Sequence, residues 1–494
     1  MKGGEAIASG GYGCVFNPAL KCKEDNKRYN GISKLIRNRS AFEEMEEANK
    51  IKKIIKDIPN SNKYVLLPDN MCTPYVLESN DLEKFNEKCG RFTDAKTRLN
   101  NYKILNMPFG GPDFSKYLQT ATIGENFVTI NNNLCKIIKN FVSKYNSKTL
   151  LHADLKGPNI LIDPVKLDCK IIDWGLAIIH NDKYSLDVKE ELEWRPLQFN
   201  IPPSNILFSD SFNNFIKKRS KFFKTPSTLE DRMKNIDSLT QELMIEYDRY
   251  FKPIYGDGHY STHIYQIQVL NNNLGIHKFG TKIPDKEWLF NYIAKVAIYF
   301  FDRKTGTFDD KEYLMNVYTY NCDIWGILTA YFQFLEITRT RFKFKNKSDS
   351  TIIKFREELS GVLNHHMYLN KSPEKKVDID ILIKDLKKLN LYFNKPVSVT
   401  SNNSQSLSIP LKSQLKPIVS KQSKAKNPSK LNSKVFSTKK RKRCPNGTRR
   451  NRKTGKCQNI KSILSSISLS SQKKKKRCPN GTRRNKQTGK CQPK

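Results

Sequence analysis

The 494-residue chain carries 88 Lys and Arg against 48 Asp and Glu, a formal charge of +40, and 37% of its residues are hydrophobic. That hydrophobic share can bury a core, which excludes a wholly disordered polycation. No run of about 18 apolar residues occurs and Met1 to Val15 lacks an apolar leader core, so neither a membrane span nor a secretory signal is expected.

The charge is unevenly placed. Lys395 to Lys494 holds 29 basic residues and no acidic one, whereas the first 394 residues hold 59 basic and 48 acidic residues, a net of +11. A mildly basic globular body is therefore expected, followed by a polycationic tail from 394 to 494 that binds anions. Seven cysteines (Cys14, Cys22, Cys72, Cys89, Cys135, Cys169, Cys322) are scattered through the body without framework spacing. That pattern predicts unpaired thiols in a reducing compartment.

In chain order, the first hundred residues alternate short apolar runs with turn residues, predicting a β-rich unit over 1–108. Within it Ala41 to Ile58 has helical periodicity, stopped by Pro59 and Asn60. A larger helical unit is expected over 109–393. Its elements include Asn131 to Lys148, amphipathic Leu229 to Tyr250, and the apolar stretches Trp288 to Phe301 and Tyr320 to Ile337. After Phe393 the sequence is rich in Ser, Asn, Lys and Pro, too poor in apolar residues to offset its ordering entropy, and disorder is expected.

Two spaced motifs carry chemistry. His152-Ala153-Asp154-Leu155-Lys156-Gly157-Pro158-Asn159 precedes the apolar Ile160-Leu161, and Asp173-Trp174-Gly175 follows the apolar Ile171-Ile172, with Asp173 fourteen residues beyond Asn159. Here the sequence resembles the protein-kinase family, in its H-x-D-L-K-x-x-N-I-L and I-I-D-W-G-L-A segments. The resemblance implies an α+β, two-lobed kinase fold, with a β-rich small lobe and a helical large lobe. It makes Asp154 the acceptor of the substrate hydroxyl proton and places Lys156 on the γ-phosphate. Asn159 and Asp173 would hold Mg²⁺, with ATP as the phosphoryl donor.

Upstream, Ile7-Ala8-Ser9-Gly10-Gly11-Tyr12-Gly13-Cys14-Val15 resembles the family's glycine-rich loop over the phosphates. Ala8 stands in place of the first glycine, and the resemblance implies that Tyr12 would fall at the tip and that Ile7 and Val15 would bracket the adenine. Lys34, nineteen residues after Val15, matches the strand lysine of the α- and β-phosphates, with Lys21 to Asn30 accounting for the spacing as a hairpin loop. The family pairs that lysine with a glutamate on the next helix. Glu47 shares a helical stripe with Ile51, Ile55 and Ile58 and is the expected partner, with Glu44 one turn earlier as the alternative. Asp323-Ile324-Trp325-Gly326 resembles a compressed form of the large-lobe D-x-W-x-x-G motif, whose Asp binds the catalytic-loop backbone. The usual A-P-E is absent, and Pro202-Pro203 stands where the activation segment would end. A helical insertion over about 206–310 fills the extra length.

Ala153 replaces an arginine that many kinases use to bind an activation-loop phosphate, so control by that phosphate is not expected. Lys156 favours a protein acceptor over a small molecule, and the D-L-K-x-x-N form is that of serine/threonine kinases. In the tail, residues 443–458 and 477–492 are identical at fourteen of sixteen positions and space their cysteines thirteen apart (Cys444 and Cys457, Cys478 and Cys491). Zinc, disulfide-closed loops and free thiols all remain open for them. The blocks resemble a module of giant DNA viruses of the mimivirus type, which implies a viral kinase of the host cytoplasm, with packaging in the virion a further expectation. The implied partners are a protein substrate with Ser or Thr and, through the tail, nucleic acid or an acidic surface. The rival readings are a pseudokinase and a basic virion or nucleic-acid-binding protein built on an inactive kinase fold.

Overall fold

The computed structural model describes residues 4–9, 13–121, 123–147, 150–180, 191–193, 195, 197–219, 223–224, 228–255, 258–275, 285–340, 348–369 and 373–393, and, in the tail, 448–450, 457–459, 482–484 and 491–493. Its contacts divide the chain into two units, Met1–Thr400 and Ser401–Lys494.

The first unit is α+β. It opens with a five-stranded antiparallel sheet made of β1 (Glu5–Ser9), β2 (Gly13–Asn17), β3 (Ile32–Arg37), β4 (Asn70–Cys72) and β5 (Tyr102–Met107), in the order β1-β2-β3-β5-β4. Alternation sorts the two faces. Ala6, Cys14, Phe16, Leu35 and Ile104 are buried in one small core, while the cross-strand row Val15, Lys34 and Leu105 lies on the other face. Helix α1 (Asn38–Ile55) follows β3 without a loop and buries Ala41, Ala48, Ile51 and Ile55. As expected, Lys21 to Asn30 is a hairpin, closed by a bridge between Lys21 and Arg28. Arg28 ties it down, donating to Asp81 at 3.1 Å and to Glu78 at 2.9 Å.

Four body cysteines are paired, against the expectation of scattered thiols. Cys14 bonds Cys89 and Cys22 bonds Cys72, with Cα–Cα separations of 5.6 and 5.7 Å. Partners 75 and 50 residues apart in sequence are brought together by the sheet and its flanking loops, which no linear spacing reveals. Cys135, Cys169 and Cys322 are free and buried. Burial pushes the Cys135 and Cys169 thiols up to about 12, leaving them protonated and unreactive at neutral pH.

Beyond β5, residues 108–113 run against the second half of the unit. Gly111 has φ +92° and no room for a Cβ, which would lie 2.1 Å from the Ile162 carbonyl oxygen. Asp113 then caps α2 (Phe114–Thr120), accepting from the Lys116 amide at 3.0 Å. Helix α3 (Ile123–Ile137) continues in helical backbone to Asn146, close to the expected span. Two short antiparallel pairs follow, one enclosing the other in sequence: β6 (Leu150–Leu151) pairs with β9 (Ile178–Ile179), and between them β7 (Ile160–Ile162) and β8 (Cys169–Ile171) form a hairpin.

The rest is helical: α4 (Ile236–Glu246), α5 (Gly258–Leu274), α6 (Asp285–Tyr299), α7 (Thr319–Thr340), α8 (Asp349–Leu363) and α9 (Ile379–Lys388), besides shorter turns. The single helix expected from Leu229 to Tyr250 is broken. Leu229–Met233 stops before Asn235, whose φ of −98° and ψ of 11° are not helical, and α4 starts afresh. Within residues 285–340, α6 buries eight apolar side chains and nearly every residue from Tyr318 to Leu335 is buried. Among the described residues no helix is long and apolar enough to cross a membrane.

In the second unit each repeat forms a hairpin. Thr448–Arg450 pairs with Cys457–Asn459, and Thr482–Arg484 pairs with Cys491–Pro493, in matching registers that set Arg450 opposite Cys457 and Arg484 opposite Cys491. Too few apolar residues lie beyond Phe393 to form a core, the ground for expecting disorder there. A local ladder closed within one repeat needs no core, and these twelve residues depart from that expectation. Cys444 and Cys478 lie outside the described residues.

Candidate active site

Lys34 projects from the middle of β3. Its ammonium binds both carboxylate oxygens of Glu44, at 2.7 and 2.8 Å. The expected partner, Glu47, does not make this pair. Because α1 begins directly after β3, its phase is fixed at the junction, and Glu44 falls on the stripe of Ala41, Ala48, Ile51 and Ile55 that faces inward. Glu47 is half-buried beside it. Burial, then the neighbouring Glu44 and further off Asp173 and Glu191, pushes its carboxyl up to about 7 against the pull of Lys50. Gly13 lies directly over the lysine stem, since a Cβ there would stand 3.1 Å from Lys34 Cγ and 2.8 Å from the Leu35 carbonyl. Ile7 falls at a bulge in the β1–β2 ladder, between Ala6 opposite Phe16 and Ala8 opposite Val15, and Ser9 is opposite Cys14. Gly10, Gly11 and Tyr12 lie outside the described residues.

The loop from His152 to Asn159 joins β6 to β7. Its backbone is anchored by Asp323 on α7, whose two carboxylate oxygens accept from the amides of His152 and Ala153 at 2.8 and 2.9 Å. Burial pushes the Asp323 carboxyl up, and those two backbone donors oppose it. Gly326, one turn further along α7, lets the helix touch the loop; a Cβ would meet Leu155 at 2.6 Å. The buried His152 accepts from the Asp154 amide at Nδ1 (3.3 Å), so Nε2 carries the proton and donates to the Ile172 carbonyl at 2.9 Å. That bond joins the loop to the residue before Asp173. Ala153 and Asp173 both hold left-handed backbone, φ +56° and +61°, a conformation that non-glycine residues adopt at a cost of about 1–3 kcal/mol.

Asp154 is 6% exposed and its carboxylate is fully engaged. Lys156 Nζ donates to both oxygens at 2.9 Å, and Asn159 Nδ2 donates to Oδ2 at 3.0 Å. Oδ1 also accepts from Gln198 Nε2 at 3.0 Å and Asn200 Nδ2 at 3.1 Å. Asp173, in contrast, is exposed. The structure thus brings together Asp154, Lys156 and Asn159 by direct bonds, while Lys34 pairs with Glu44.

Sequence reading missed three contributors. Gln198 and Asn200 come from the segment before Pro202-Pro203, which Trp325 Nε1 fixes by donating to the Phe199 carbonyl at 3.1 Å. Arg195 donates to the Leu176 carbonyl at 3.2 Å and, at 3.5 Å, to the Ala153 carbonyl. Arg195 thereby ties its own segment to the backbone at Ala153 and Leu176. Only nearness to the double proline could have flagged this segment.

No family model matches the chain, and no curated protein matches it.

Proposed function

We propose that the first unit is a two-lobed protein kinase that transfers the ATP γ-phosphate to a Ser or Thr hydroxyl of a protein. The observation that carries this reading is the joint presence of a strand lysine paired to a helix carboxylate and a buried Asp154–Lys156–Asn159 network anchored by Asp323. The strand order and the helical second half agree with the fold that the motifs imply.

The donor set suits its proposed occupants. Asp173 and Asn159 offer hard oxygen ligands of the kind Mg²⁺ takes, and the missing Cβ of Gly13 leaves backbone free to approach phosphates beside Lys34. Bound Mg²⁺ would neutralise charge on the phosphate oxygens. Lys34 would orient the α- and β-phosphates and Lys156 the γ-phosphate. The acceptor oxygen bonds to the γ-phosphorus as the bond to the β,γ-bridging oxygen breaks, the electron pair leaves with ADP, and Asp154 takes the hydroxyl proton. With label in the γ-position, Mg²⁺ and casein or a basic protein, phosphoserine or phosphothreonine is expected. A protein that binds ATP yet labels no acceptor would favour the pseudokinase reading.

For the tail we propose weak, sequence-independent binding to nucleic acid. Support comes from its 29 basic and no acidic residues and from two hairpins that each carry paired arginines. If roughly 6–10 phosphates are neutralised at once, affinity falls about 10³–10⁵-fold between 50 and 200 mM salt. Truncation after residue 394 should remove that binding; equal, equally salt-sensitive binding by the truncated chain would contradict it.

A further inference from the structure

The two oxygens of Asp154 are not equivalent, and their partners come from different parts of the chain. Among the described residues Oδ2 is held by Lys156 and Asn159, both from the catalytic loop. Oδ1 is held by Lys156 and by two neutral amides from another segment, Gln198 and Asn200. Those amides are themselves built in. Gln198 Nε2 also donates to Asn200 Oδ1 at 2.9 Å, and Asn200 Nδ2 also donates to the Leu155 carbonyl at 3.0 Å. Both residues are buried, Asn200 to 1% exposure. Behind them Asn205 accepts from the Leu197 amide at 3.1 Å and donates to the Arg195 carbonyl.

A carboxylate offers about four acceptor positions, and the five donor contacts here fill them. An incoming hydroxyl can donate its proton only where a present donor withdraws. Under the kinase reading, Lys156 is the group with other work to do, on the γ-phosphate, whereas Asn159 would meet the metal through Oδ1 and keep its Nδ2 donor on Asp154 Oδ2. Gln198 and Asn200 have no other work. Once the γ-phosphate claims Lys156, Oδ2 keeps one donor and has an open acceptor position, while Oδ1 still has two donors.

We infer that Gln198 and Asn200 are positioning residues that clamp Asp154 Oδ1, so that Oδ2 is the oxygen that accepts the substrate proton, and only after the nucleotide has drawn Lys156 away. This rests on the proposed kinase function. It gives the segment before Pro202-Pro203 a task that needs no added phosphate: uncharged amides hold the catalytic loop and the segment together from the outset.

The test compares isosteric and truncated variants. Asn200→Asp and Gln198→Glu keep the shape but replace a donor by an acceptor, whereas Asn200→Ala and Gln198→Ala remove it. A clamp predicts that the isosteric acid variants lose more kcat than the alanines, on the order of 10-fold or more against wild type, with KM for ATP within about twofold. If the acids are milder than the alanines, the residues serve packing only and the inference falls. A second readout needs no turnover. In nucleotide-free protein, the loss of Tm caused by Gln198→Ala or Asn200→Ala should shrink in an Asp154→Ala background, because the shared bond is already gone. Additive losses overturn the clamp. Absence of phosphate transfer by wild type would sink the kinase reading, while this cycle would still decide whether the amides hold Asp154.

Discussion

The two sides of the site are built on different principles. On the sheet side, Lys34 and Glu44 form an ion pair whose side chains are 17% and 26% exposed, within reach of water. On the loop side, His152, Asp154, Asn159 and Asp323 are all buried, and most bonds between them run through backbone amides or neutral carboxamides. A partly hydrated ion pair contributes little to folding and can exchange partners when phosphates arrive. A buried network has few alternatives, and its loss leaves donors stranded. The sheet side is thus suited to responding to a ligand and the loop side to holding still.

The largest break in this comparison is expected at Asp323. Asp323→Ala strands two buried N–H groups at about 1–3 kcal/mol each, so denaturant unfolding should report a loss of roughly 2–6 kcal/mol. Glu44→Gln should cost under about 1 kcal/mol in the same measurement, yet lower phosphate transfer at least about tenfold by releasing Lys34. Equal stability losses at the two positions would erase the distinction.

A smaller effect sharpens the picture on the sheet side. The Glu47 carboxyl is raised from its ordinary 4.5 to about 7, so the folded protein holds that proton more tightly than the unfolded chain does. Its contribution to stability is complete below about pH 4.5 and is lost as pH rises towards 7. Glu47→Gln should therefore flatten the decline of Tm across that window and leave the protein more stable than wild type above it. Parallel Tm curves for the two proteins would show that Glu47 ionises without penalty.

How much was legible follows from the range of each contact. Asp154, Lys156 and Asn159 sit within one six-residue loop, so their meeting is local and the sequence pattern carries it. The α+β character was equally readable, from the switch of periodicity after residue 108. Glu44 was harder, because both glutamates lie on apolar stripes and only the loopless β3–α1 junction fixes the phase. Gln198, Asn200 and Arg195 were hidden, since amides and a guanidinium in a polar segment gain meaning only when the fold lays that segment on the loop from His152 to Asn159. The Cys14–Cys89 and Cys22–Cys72 pairs were hidden for the same reason, being contacts between strands and flanking loops far apart along the chain.

The central claim is that Asp154 serves the chemistry and Asp173 the metal. Its most direct measurement takes Asp154→Ala and Asp173→Ala beside wild type, recording Mg²⁺-dependent ATP binding and γ-phosphate transfer on the same preparations. The account predicts that Asp154→Ala binds Mg-ATP like wild type while transfer falls on the order of 10²-fold or more. It predicts that Asp173→Ala loses the metal-dependent part of binding along with transfer. Full transfer by Asp154→Ala, in a folded protein that binds nucleotide, would contradict it.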